Sequence, residues 1–80
     1  MSAEQGNSYG QNNLATMYSA GEGVTLNKIY AHMWYNIAAT DGHPVASDNR
    51  ENIAKQMTRD QIAEAQRLAR ECAKKNYKDC

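Results

Sequence analysis

The stretch from Leu14 to Gly42, LATMYSAGEGVTLNKIYAHMWYNIAATDG, leaves few folds open. Two runs with helical spacing of apolar residues flank a Gly-x-Gly-Val bend, and each run can bury its stripe by folding back on the other. In the first run, from about Ser8 to Ser19, Gly10, Leu14, Met17 and Tyr18 share one face, while Tyr9, Asn12, Thr16 and Ser19 occupy the opposite one. In the second, from Lys28 to about Thr40, Tyr30, Met33, Trp34, Ile37 and Ala38 fall at i, i+3, i+4, i+7 and i+8. Trp34, the only Trp, is the expected anchor of the core, and Ala31, Ala38 and Ala39 supply small positions where helices cross. Gly21 suits a left-handed helix cap and Gly23 a second unusual dihedral, with Val24 plugging the bend. Asn27 stands where a side-chain oxygen would cap the second helix, and Gly42 closes it.

The pattern then returns. A third helix is expected from about Pro44 to Met57, with Val45, Asn49, Ile53, Ala54 and Met57 inward; Ile53, Ala54 and Met57 answer Leu14, Ala15 and Tyr18 at an offset of 39. Thr58 and Gln61 have the spacing of a capping box. The fourth helix, about Arg59 to Lys75, places Ile62, Ala65, Leu68, Ala69 and Cys72 inside. Its outer face, with Glu64, Arg67, Arg70, Glu71, Lys74 and Lys75, is charged, as suits the last helix of a stack. Near the start, Ala3 and Gly6 answer Ala39 and Gly42 at an offset of 36, the spacing of helical-hairpin repeats. Residues 1–7 thus read as the remnant of a preceding repeat, 8–42 as a complete repeat and 43–80 as a degenerate C-terminal capping repeat of a longer protein. The expected fold is all-α, with four helices in two antiparallel hairpins.

Charge and chemistry narrow the function. Nine basic and nine acidic residues cancel, which removes the field that nucleic-acid binders use against phosphates. No apolar run approaches the roughly 20 residues of a membrane span. His32 and His43, with Asp41 and Asp48 nearby, lack the three or four convergent ligands of a zinc site, so solvated histidines and no metal or cofactor are expected. Cys72 with either His lacks an orienting acid for nucleophilic chemistry. Tyr30, Trp34 and Tyr35 lie at core spacing rather than as a ligand box. The basic residues Arg67, Arg70, Lys74, Lys75 and Lys78 alternate with Glu64, Glu71 and Asp79, the pattern of a solvated face.

The spacing L-A-x-x-Y-x-x-G-x-G-V, followed by A-x-x-W-Y-x-x-A-A-x-x-G, resembles the Sel-one-like repeat (SLR), a relative of the tetratricopeptide repeat. Leu14, Ala15, Tyr18, Gly21, Gly23, Val24, Ala31, Trp34, Tyr35, Ala38, Ala39 and Gly42 carry the likeness. Asn27 stands where Asp is usual, Ala15 where Gly is commoner, and Ile29 and Tyr30 replace a basic residue and its neighbour. The segment MTRDQIAEAQRLAREC is similar to the degenerate last repeat of bacterial members. The resemblance implies an α/α superhelix, a solenoid that serves as a non-catalytic adaptor or scaffold for another protein, with no catalytic residues to carry over.

Cysteine-rich members of that family staple adjacent helices, which implies a Cys72–Cys80 disulfide. On a continuous helix two residues eight apart lie about 12 Å apart, so the bond requires the helix to end near Asn76 and the tail to fold back. The alternative is one buried and one exposed thiol. The disulfide would point to a periplasmic or secreted location, free thiols to the cytoplasm; MSAEQGN, with no signal-peptide pattern, leaves that choice open in a piece of a longer chain. For partner binding, position on the first helix favours Tyr9, Asn12, Thr16 and Ser19, then His32 and Asn36. Two other functions compete with the adaptor: a small cell-wall hydrolase, prompted by cysteine-rich relatives but without a visible nucleophile and base, and a self-associating structural module.

Overall fold

A computed structural model of the protein describes residues 6–80. Among them are four helices and no strand: α1 (Ser8–Ala20), α2 (Lys28–Thr40), α3 (Ala46–Ala54) and α4 (Arg59–Lys74). Of the two residues that suggested an earlier repeat, Ala3 lies outside the described residues. Gly6 has φ +80°, in the left-handed region like Gly42 at +96°.

The helix ends follow their capping chemistry. Asn7 Oδ1 accepts from the Tyr9 and Gly10 amides to start α1, and Asn27 Oδ1 accepts from the Tyr30 amide to start α2. Gly21, at φ +71°, ends α1 with a left-handed cap. Thr58 and Gln61 complete the reciprocal capping box of α4.

The core is one helix with others laid on it. Ala31, His32, Met33, Trp34, Tyr35, Ile37 and Ala38 are all buried on α2, and α1, α3 and α4 each pack against it. Such close approach needs small side chains at the crossings, and Ala15, Ala31, Ala38, Ala46 and Ala65 have no exposed surface at all. Trp34 is 2% exposed, in the same cluster as Met33, Ile37, Ile53 and Ala69. Tyr18 meets Tyr30 edge-on at 5.4 Å.

Three expectations require correction. The third helix is shorter than Pro44–Met57: residues 43–45 form a turn in which the Val45 amide donates to His43 Nδ1. At the other end, the Gln56 and Met57 amides reach back only three residues, to Ile53 and Ala54, because Thr58 must be extended to cap α4. Ala46, not Val45, therefore enters the core, and Val45 is left 47% exposed. On α1 the inward positions are Gln11 and Ala15 with Leu14 and Tyr18 beside them, while Met17 turns outward. Finally, α3 and α4 are not among the closely packed helix pairs. Their apolar faces, Ala46 and Ile53 on one and Ala65, Ala69 and Cys72 on the other, are spent on the common core around α2.

Replacing Trp34 with Ala should cost about 3–5 kcal/mol, the range for emptying an aromatic site in a core. Urea denaturation followed by far-UV circular dichroism measures it, and a loss below about 1 kcal/mol would contradict the packing role.

Candidate functional site

Because α1 and α3 both lie on α2, polar side chains from the two face each other across a shallow groove. Asn49 Nδ2 on α3 donates to Asn12 Oδ1 on α1 at 3.1 Å. Thr16 Oγ1 donates to the Asn12 carbonyl at 3.0 Å, which leaves the Tyr35 hydroxyl as donor in its 2.9 Å bond to Thr16 Oγ1. That bond satisfies a buried Tyr, 6% exposed, at the floor. Past these bonds the groove opens to about 230 Å³, lined by Ser19, Tyr35, Asn49, Asn52, Ile53 and Gln56. Ser19 Oγ donates to the Thr16 carbonyl.

Of the four expected contact residues, Asn12, Thr16 and Ser19 thus border one groove. Tyr9 stands apart, 61% exposed, with its ring 4.7 Å from that of His43. Of the two secondary candidates, Asn36 accepts from Arg50 Nη1 at 2.7 Å. His32 is not a surface residue: at 3% exposed it is buried in α2, against the expectation of a solvated side chain. The weak apolar period of residues 46–57 does not mark Asn49, Asn52 and Gln56 as groove residues, and Asn49, expected inward, instead lines the groove. The available signal was the run of three amide side chains on one side of that segment.

A second polar centre ties the C-terminal segment down. Asp41 accepts from Gln11 Nε2 at 2.9 Å and from the Tyr77 hydroxyl at 3.2 Å, joining α1, the end of α2 and the tail. Burial raises the Tyr77 pKa, as do the bond to Asp41 and the carboxylate's charge. Beside it, Ile37, Thr40, Ala69, Arg70 and Ala73 outline a groove of about 170 Å³ between α2 and α4. The tail turns back after α4, with Asn76, Tyr77 and Asp79 all at positive φ. Cys80 thereby returns to Cys72, their Cα atoms 5.6 Å apart and their sulfurs at disulfide distance, 2.10 Å. The helix ends just before Asn76, as that bond requires.

On the outer face of α4, Arg67 pairs with both Glu64 and Glu71 in solvent. Among the described residues no three His, Cys, Asp or Glu side chains converge as metal ligands would, and no helix is long and apolar enough to cross a membrane. Compared with known proteins, the chain matches no family model and no curated protein.

Two predictions arise from these centres. Burial holds the His32 pKa below its usual value, Arg50 lowers it further and Glu51 opposes this. The unfolded chain therefore binds the proton first, so stability is full above about pH 6.5 and falls as the pH drops toward the folded pKa. The melting temperature should decline between pH 7.5 and 5, and His32→Gln should flatten that decline; parallel profiles would refute it. Reducing Cys72–Cys80 should remove about 2–3 kcal/mol in the chain-entropy account of so short a loop, lowering the melting temperature by roughly 15 °C for a chain of this size. A thermal scan with and without a phosphine reductant reads the shift.

Proposed function

We propose that this chain is a non-catalytic protein-binding module of SLR type, in which the α1–α2 hairpin, with α3 and α4 also packed on α2, forms part of an α/α solenoid and α1 and α3 line its concave side. The observation that carries the reading is the groove itself: α1 and α3 each pack on α2 and are joined by the Asn12–Asn49 bond, with polar side chains lining the space beside it. The repeat-like spacing of Leu14 to Gly42, the left-handed cap at Gly21 and the buried Trp34 support it. Tyr9, Asn12, Thr16 and Ser19 are the contact residues of α1; the last three border the groove, and Tyr9, outside it, extends the contact as an anchor, since an exposed aromatic side chain offers the largest apolar area at low entropic cost. The disulfide-distance cysteines favour an oxidising compartment, periplasmic or extracellular.

The test starts from a partner recovered by affinity purification with the oxidised protein and identified by mass spectrometry. Tyr9→Ala should weaken that partner by about 30-fold, the scale of a hot-spot truncation, with an unchanged circular dichroism spectrum. Unaltered affinity in both Tyr9→Ala and Ser19→Ala would overturn the assignment, as would a complex formed only between copies of this chain in light scattering.

A further inference from the structure

We propose that the Cys72–Cys80 bond is a reversible latch: a dithiol opens it at Cys80, the tail from Tyr77 to Cys80 swings out, and the change reaches α1 through Asp41.

The tail is held in a shape that its own sequence does not favour. Asn76 closes α4 as a left-handed cap, with its amide bonded to the Ala73 carbonyl and the Tyr77 amide to that of Cys72. Asn and Asp enter the left-handed region at small cost, which covers Asn76 at φ +57° and Asp79 at +56°. Tyr77, at +65°, has no such licence. A bulky residue keeps an unfavourable dihedral only where its surroundings over-determine it. Here the restraints are the sulfur bond three residues on, the Tyr77 hydroxyl donating to Asp41, and the ring packed on the core beside Gly6. Only the first is covalent. Cutting it leaves one exposed hydrogen bond and one half-buried ring to oppose the strain.

The bond is open to attack at one of its two sulfurs. Cys72 is 2% exposed, whereas Cys80 is only half-buried. A cleft of about 70 Å³ lies beside them, bordered by both cysteines, Lys75 and Asp79. A thiolate of the dithiol therefore attacks Cys80 Sγ, forms a mixed disulfide and expels Cys72 as a thiolate, which takes up a proton. The second thiol of the reagent then attacks its partner sulfur in that mixed disulfide and gives up its own proton, so that Cys80 departs as a thiol. The protein gains two electrons and two protons, and the dithiol leaves as a disulfide.

Release matters beyond the tail because Tyr77 is shared. It forms part of the groove between α2 and α4, where Ile37, Ala69 and Ala73 supply an apolar lining. Its hydroxyl donates to the same carboxylate, Asp41, that holds the fully buried Gln11 of α1. With the tail gone, that lining opens to solvent, and of these two partners Asp41 keeps only Gln11. The state of one bond at the end of α4 is thereby felt on α2 and α1.

The test uses the oxidised full chain, labelled with nitrogen-15 and treated with dithiothreitol in the cold, without denaturant. Alkylation and intact mass should show complete reduction while circular dichroism keeps the helical spectrum. The amide signals of residues 77–80 should move to unstructured positions, the side-chain NH₂ signal of Gln11 should shift, and reoxidation should restore both. Tyr77→Phe, which keeps the ring and loses the hydroxyl, should abolish the Gln11 shift but not the release of the tail. Cys80→Ser should show the open tail with no reductant present. With glutathione, a monothiol, peptide mapping should find the adduct on Cys80. A bond that yields only when the chain is unfolded, helix lost together with the bond, tail signals unchanged in the reduced protein or in Cys80→Ser, a Gln11 signal indifferent to reduction, or an adduct on Cys72 would each overturn the proposal.

Discussion

Everything in this small protein depends on a helix that has almost no outside. Seven of the 13 residues of α2 are buried, and three helices share it as a common floor. A chain of this length buries only about 60% of its unfolded surface, so it cannot maintain two separate cores. Concentrating Met33, Trp34, Tyr35 and Ile37 on one element, with alanines where the others cross, solves the problem. It also fixes the rest: α1 and α3 must lie where alanines let them approach, and the groove between them is a by-product of sharing that floor.

The parts of the fold that were legible in the sequence are those governed by local chemistry. A capping Asn, a left-handed Gly and a Thr-x-x-Gln pair act within a few residues, and Asn27, Gly21 and the Thr58–Gln61 box behave as their spacing demands. The stripe of α2 was legible for a different reason, its large apolar side chains at consistent intervals. What escaped was set by competition between elements. Pro44 and Thr58 each suggest a helix boundary, yet only the turn around His43 and the cap of α4 decide that α3 keeps nine residues.

Polar residues in the interior were harder still. Gln11 is fully buried because Asp41, 30 residues away, accepts its amide; no pattern around Gln11 announces that partner. His32 follows the same logic, since residues on every side of it on α2 face neighbours. The groove was half visible: α1's contribution stood out as the polar side of an amphipathic run, while α3, with Ala46 and Ile53 as its only buried residues, had too weak an apolar period to show which side was which.

That thin attachment of α3 has a bearing on how such a module can change over generations. Side chains that hold the domain together and side chains that face the groove sit on different residues of the helix, so exchanges at Asn52 or Gln56 fall among surface changes, usually within about 0.5 kcal/mol. Exchanges in the floor disturb the packing, and exchanges in the wall do not. The wall can thus be rewritten a few side chains at a time with no compensating repair of the interior.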